Sequence, residues 1–389
     1  MSAGVWIFVL AILVVIMVHE SGHFFVAKLF GFKATKFFLG FGPTLWSVQR
    51  GETEYGVKAL PLGGFVKIAG MNPYEDLAPQ DRARSYPSKP RWQRALLLLA
   101  GSATHWILVF VVLVPTLLWI GLPTARGSNV LYAVQKSSPA VAAGLEPGDR
   151  IVGVGGTAAD SWPDIRSYIR ARGGRTATFV VARDGERREL SARLWWAIYS
   201  RDGQLAQFER DRSELRPLRS GEDVVGFLGV SPEPLYESFG FGEAVAQSGR
   251  TTWLLTTRSV QGIGSFFGQV FDGTLFSKLS AEGPRTGASE PIGIVGGARI
   301  AGETFERGRY LELILSMCGL VISVAILNLL PLPPLDGGHL AVVAFEAVTR
   351  RTVDLRRLIP IAAAVISFFV LVFLAMLYLD LARPIEVPF

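Results

Sequence analysis

Val18-His19-Glu20-Ser21-Gly22-His23 sits inside an apolar stretch, preceded by Val5 to Met17 and followed by Phe24, Phe25, Val26 and Ala27. In a helix, positions i and i+4 lie on one face, one turn apart. His19 and His23 can therefore offer two imidazole nitrogens to one Zn2+. Glu20 points to the side, within reach of a water on that metal, which is the position of a general base. Buried histidines are often plain hydrogen-bonded core residues. Three ionisable groups between His19 and His23 of an apolar helix are nevertheless costly to keep for packing alone. The pattern places a metal site inside a membrane-spanning helix.

The rest of the composition agrees with a membrane setting. Of 389 residues, 50% are hydrophobic and only 19% charged, and the mean hydropathy is +0.35. This is richer in apolar residues than a soluble chain of this length needs. Four stretches are long and apolar enough to cross ~30 Å of hydrocarbon: about 4–29, 95–122, 311–332 and 359–379. The first lacks a basic leading region and a small-residue cleavage site, so it reads as a helix rather than a signal peptide. The single cysteine, Cys318, excludes an internal disulfide framework and a Cys-rich zinc site. The net charge of +6 fits basic loops beside an anionic leaflet, and no aromatic-and-basic motif suggests nucleic acid.

Lysines and arginines at the helix ends set the orientation. Lys28, Lys33 and Lys36 follow the first helix, and Lys89, Arg91 and Arg94 precede the second. Arg350, Arg351, Arg356 and Arg357 lie between the third and fourth. These loops are expected in the cytoplasm, with both termini and the long segment after the second helix outside.

Between the first two helices, residues of about 52–71 read as a β-hairpin, from Glu54 to Leu60, a turn at Pro61-Leu62-Gly63-Gly64, then Phe65 to Ala69. The run Phe37 to Pro43 before it is apolar and bent by glycine. The hairpin is either an ordinary cytoplasmic one or an apolar element near the site. In the second case Glu54, Tyr55, Gly56, Val57, Lys58, Gly63 and Gly64 would hold an extended substrate along a free edge. Bare backbone at that depth requires a protein-walled, wet cavity.

Residues 124–196 form a soluble module with a turn and short helix at Ser138 to Leu145, a strand at Glu146 to Val154, an amphipathic helix at Asp164 to Arg172, and a hairpin around Asp184-Gly185. It resembles a PDZ domain of the circularly permuted bacterial type, as a peptide binder or as a spacer limiting access. The 197–309 segment is expected to hold a charged insert, Arg201 to Arg219, an amphipathic surface helix within Pro234 to Phe271, and a linker from Asp272 to Gly308.

Two histidines leave zinc short of a ligand, because a catalytic site uses three protein ligands and an open position. Asp336 is the candidate, in Asn328-Leu329-Leu330-Pro331-Leu332-Pro333-Pro334-Leu335-Asp336-Gly337-Gly338. The prolines break the third helix at the membrane end that carries His19 and His23, and broken backbone there must line a cavity. Read alone, Asp336 would be an ordinary turn residue. Asn328 could donate its amide to an oxyanion or hydrogen-bond a neighbouring helix. His105 and His339 are candidates for supporting the ligands or for plain packing.

Taken in order, the His-Glu-Ser-Gly-His motif, Gly40-Phe41-Gly42-Pro43, Pro61 to Gly64, the PDZ-like module, Pro291 to Ile294, and Asn328 to Gly338 resemble the site-2 protease family of intramembrane zinc metalloproteases. The single PDZ-like module is similar to the actinobacterial branch of the bacterial regulator-of-sigma proteases. Ala100-Gly101-Ser102-Ala103-Thr104-His105 departs from the Gly-Pro and Asn found in many relatives. The expected fold is a polytopic α-helical membrane protein with four transmembrane helices, a membrane-associated β-hairpin and one inserted extracytoplasmic PDZ domain. The 1–123 and 310–389 segments would be the two halves of the protease core. The resemblance implies one Zn2+ per chain on His19, His23 and Asp336, with Glu20 as base and Asn328 at the oxyanion. It implies substrates that are single-pass membrane proteins already shortened by another protease, such as anti-sigma factors, and sometimes remnant signal peptides. Two other classes compete: a non-catalytic membrane receptor with structural zinc, and a zinc transporter.

Overall fold

The computed structural model describes residues 3–384, except 73, 125–126, 200–204 and 280–291. The expected motif residue Pro291, part of the charged insert, part of the linker and the last few positions lie outside the described residues. The chain folds as two units, one from the residues up to Leu117 together with those from Gly240 onward, the other from Leu118–Phe239.

Helix α1 (Ala3–Leu29) leads into two long strands, β1 (Ala34–Arg50) and β2 (Thr53–Ile68), and helix α2 (Arg91–Trp119) follows. The strands correct the expected hairpin. Residues 34–39 pair with 64–68 on one side (Phe37 with Val66, Leu39 with Gly64) and with 54–57 on the other (Phe37 with Tyr55, Leu39 with Val57). Residues 46–50 complete the sheet against 53–57 (Trp46 with Val57, Val48 with Tyr55). The spatial order is therefore 64–68, 34–39, 54–57, 46–50. The run around Phe37 and Phe38 is the inner strand, as its aromatic and apolar content permits. Phe38 is 1% exposed.

The second unit contains β3 (Leu122–Pro123), β4 (Leu131–Val134), α3 (Pro139–Ala142), β5 (Arg150–Val154), β6 (Thr157–Ala158), α4 (Trp162–Arg170), β7 (Thr176–Arg183), β8 (Glu186–Arg193), β9 (Trp195–Tyr199), β10 (Leu205–Glu209), β11 (Asp223–Phe227), β12 (Val230–Pro232) and β13 (Tyr236–Glu237). A four-stranded sheet runs β6-β5-β7-β8 and a three-stranded sheet β10-β9-β11. Ile151, Ile165, Phe179, Val181 and Leu194 are fully buried in one core that joins the four-stranded sheet to α4. The unit extends beyond 196, because β12 pairs with β4 and β13 with β3. Strands with so many charged neighbours did not stand out in the sequence.

The chain then forms α5 (Phe241–Phe271), α6 (Thr274–Ser277), α7 (Ile294–Glu306), α8 (Tyr310–Asn328), α9 (Asp336–Thr349) and α10 (Ile359–Ala382). Among the described residues, four helical spans are long and apolar enough to cross a membrane: Ala3–Leu29, Arg91–Trp119, Tyr310–Asn328 and Leu355–Ala382. The second starts earlier and ends earlier than expected, and the third stops at Asn328 because Pro331, Pro333 and Pro334 cannot continue it. Three helices depart from the expectation, α6 and α7 within the expected linker and α9 after the proline break. The amphipathic stretch, expected on the membrane surface, forms α5 and packs along α8. Its Ser259 Oγ lies 3.0 Å from Ser323 Oγ, and Thr256 Oγ1 accepts from Trp106 Nε1 of α2 at 3.0 Å. Such hydroxyl contacts suit helices that meet away from water.

Glu52, in the turn between β1 and β2, ties the sheet to its surroundings. Its carboxylate accepts from Arg84 Nη1 at 2.7 Å and Nη2 at 2.9 Å, and from Lys28 Nζ at 2.7 Å. The Arg84 hydrogen bonds, with help from Lys28, hold its carboxyl down from 4.5 to about 2. A depressed carboxyl stabilises the fold fully above its unfolded value and loses that contribution as pH falls through the folded one. Glu52→Gln should therefore lower stability at neutral pH by on the order of 1 kcal/mol, allowing for solvent screening. Thermal unfolding of both proteins across pH should show the gap closing between pH 4.5 and about 2; a gap independent of pH would refute this role.

Candidate active site

Helix α1 presents His19 and His23 on one face, with Nε2 atoms 3.2 Å apart. Asp336 Oδ2 lies 3.2 Å from each of those nitrogens. Residues more than 300 positions apart in sequence thus supply three ligand-type atoms at the corners of a near-regular triangle. Tetrahedral zinc with bonds of ~2.0–2.1 Å needs its ligand atoms ~3.3 Å apart. The donor set of two imidazoles and a carboxylate fits that ion in chemistry and in spacing. Asp336 is the first residue of α9, not a helix-end turn residue, and carries its carboxylate at the positive end of that helix. Its side chain is 21% exposed and those of His19 and His23 are 13% and 11%, so the cluster is shielded yet reachable.

Helix α2 forms the back wall. A Cβ at Gly101 would lie 2.7 Å from His19 Cε1 and closer still to His23 Nε2, so any larger residue there would displace the ligands. At Gly22 a Cβ would lie 2.5 Å from the Ala100 carbonyl, which shows how nearly the two backbones touch. Thr104 Oγ1 donates to Val18 O at 3.1 Å across the same contact. His23 Nδ1 donates to Leu97 O at 2.8 Å, which leaves its Nε2 lone pair free for a metal. None of these α2 partners was identified from sequence. The signal was present in the small residues Ala100, Gly101, Ser102 and Ala103 inside an apolar helix.

Glu20, beside His19, faces the sheet. A Cβ on Gly64 would lie 3.0 Å from Glu20 Cγ, and the Val66 backbone N–H is offered to its carboxylate. The residues expected to hold a substrate separate into two groups. Glu54, Tyr55, Gly56 and Val57 have strand neighbours on both sides, so they are interior and cannot accept a further strand, while Lys58 pairs with Thr44. Gly64 lies on the outer stretch 64–68, which among the described residues pairs only with β1; Gly63 precedes it. Asn328 closes α8 and is half-buried, and its side-chain amide makes no hydrogen bond among the described residues. His339 lies on α9 and borders a cavity of about 520 Å³ with Tyr86, Arg94 and Glu346. His105 is fully buried and donates from Nδ1 to Val321 O at 2.9 Å.

Comparison with known proteins agrees with this arrangement. The model of Peptidase family M50 matches residues 7–375. The chain is 32% identical to the zinc metalloprotease Rip1 of Mycobacterium tuberculosis, over 98% of both chains. It is 30% identical to Rip1 of Mycolicibacterium smegmatis, over 89% of this chain and 86% of that one. It is also 30% identical to the metalloprotease MmpA of Caulobacter vibrioides, over 87% and 85%. A match across nearly the whole length, on a fold that gathers the motif residues at one point, means that this chain belongs to Peptidase family M50.

Proposed function

We propose that this chain is a membrane-embedded zinc metalloendopeptidase that cuts the membrane-spanning segments of single-pass proteins. The observation that carries the reading is the triangle of His19, His23 and Asp336 ligand atoms, 3.2 Å on each side, between apolar helices and next to Glu20. When bound, Zn2+ supplies Lewis acidity, acidifying water and polarising a carbonyl. His19, His23 and Asp336 hold it. Glu20 takes a proton from the attacking water and delivers it to the leaving amine. Asn328, with its amide uncommitted, donates to the oxyanion. A transmembrane helix hides its peptide bonds in its own hydrogen bonds and must unwind before cleavage. The outer stretch 64–68 then gives the unwound chain a strand to pair with, directly beside Glu20.

Leu118–Phe239 is read as one PDZ module. A cavity of about 290 Å³ between α4 (Trp162, Arg166, Ile169) and Gly226–Val230, from the end of β11 to the start of β12, suits the end of an extended peptide. By the charge of the loops, this module and both termini lie outside a bacterial plasma membrane, with the active site near the cytoplasmic side. Resemblance to regulator-of-sigma proteases makes shortened anti-sigma factors the expected substrates, with remnant signal peptides as a second class. Structural zinc sites are closed by four protein ligands, whereas three gather here among the described residues, which favours catalysis over a receptor with structural zinc.

Glu20→Gln should retain zinc, measured on the purified protein, and abolish cleavage of a co-expressed single-pass substrate; normal turnover would refute its role as base. Gly101→Ala should lose zinc while the protein still folds, and an unchanged metal content would refute the geometry of the back wall. Asn328→Leu should lower kcat by roughly 10²–10³ with little change in KM. A change confined to KM would show that Asn328 binds substrate instead.

A further inference from the structure

His105 is fully buried in α2 and plays no part in the chemistry proposed above. Its Nδ1 donates to the Val321 carbonyl at 2.9 Å, so the ring proton sits on Nδ1 and Nε2 is a bare acceptor. That Nε2 is sealed from solvent and has no hydrogen-bond partner. An unmet buried acceptor carries an energetic cost and calls for an explanation.

His19 shows the complementary deficit. Its Nε2 faces Asp336 and His23. If Nε2 binds a metal, the ring proton must sit on Nδ1, and that atom is also sealed from solvent and unpartnered. The two rings stand edge-on to each other, with centroids 5.1 Å apart and planes at 65°. His23 supplies the contrast, because its Nδ1 already has the Leu97 carbonyl at 2.8 Å. A metal-ligating histidine ordinarily donates its other N–H to an acceptor, which fixes the ring and strengthens the ligand.

We propose that His105 Nε2 is the acceptor for His19 Nδ1–H, directly or through a single water, and so acts as a positioning residue for the metal ligand. One lone donor and one lone acceptor, buried side by side, satisfy each other. The Val321 carbonyl on α8 sets the His105 tautomer, so α8 takes part in orienting a ligand on α1. The inference rests on the reading that His19 holds zinc through Nε2.

The test separates the two nitrogens of His105 in the full-length protein purified in detergent, with Zn2+ affinity read by chelator competition. His105→Asn keeps a donor for Val321 and leaves nothing at the Nε2 position. His105→Gln places an amide at the Nε2 position and gives up the Val321 bond. His105→Leu removes both. The asparagine and leucine variants should bind zinc roughly 10- to 100-fold more weakly, and the glutamine variant should stay near the wild type. Thermal unfolding of the metal-free proteins should show asparagine close to the wild type, so that its weaker zinc binding is not a folding defect. Should the leucine variant fail to fold, the asparagine and glutamine pair still decides. Wild-type affinity in His105→Asn, or affinity in His105→Gln as weak as in that variant, would overturn the proposal. A wild-type protein without zinc affinity, or a His19→Ala variant with undiminished affinity, would sink the metal reading itself and this inference with it.

Discussion

The membrane unit depends on how closely the middle of α2 approaches α1. Lipid tails are as apolar as leucine, so helices in a bilayer gain little from burying apolar surface against each other and associate by close packing. Here the packing is backbone on backbone, Gly22 against Ala100 and Gly101 against both imidazoles. One short run of α2 then does three things. Thr104 ties to Val18 on α1, while Ser102 and His105 tie to the Ala325 and Val321 carbonyls on α8. The helix carrying the motif and the helix leading to Asp336 are both registered against the same turn and a half of α2. A glycine and two small polar residues thus help to set the spacing of the ligand groups.

The sheet meets a second constraint. Peptide groups away from water must be paired, and an open sheet edge is unfavourable unless it faces protein or a wet cavity. By placing residues 34–39 in the middle, the chain uses only two nominal strands to pair four segments and confines its open edges to 64–68 and 46–50. The first of these runs beside Glu20. The apolar side chains Leu45 and Trp46, 69% and 60% exposed, crowd the second. One edge meets the chemistry, and the other has the character of a surface that shuns water.

Much of the site was legible in the sequence because its parts are local. His19 and His23 are one helical turn apart, and the proline break before Asp336 is written in consecutive residues. The four spans were legible for the same reason, since long apolar runs leave little choice. What escaped was whatever depended on a distant partner. Glu54 to Leu60 and Phe65 to Ala69 look like a hairpin until Phe37 and Phe38 come between them. The α9 helix was hidden because Asp336-Gly337-Gly338 has the composition of a turn. The Leu97 carbonyl that receives His23 could not be found from any pattern, because every residue has a carbonyl.

Asp380, near the end of α10, is 1% exposed, and its carboxylate accepts from the backbone N–H groups of Gly293 at 3.3 Å and Gly296 at 2.7 Å. It therefore caps α7, which in turn packs along α1 through Phe8 and Ala301. Translation proceeds from the N-terminus, so α7 leaves the ribosome long before its cap exists. Until α10 follows it, the first amides of α7 are without that acceptor in a setting where such a debt is severe. The helix that supports the motif-bearing one is thus completed only by a span synthesised after it. Biogenesis therefore has a built-in order, in which the support that α7 gives to α1 is complete only once Asp380 has been made.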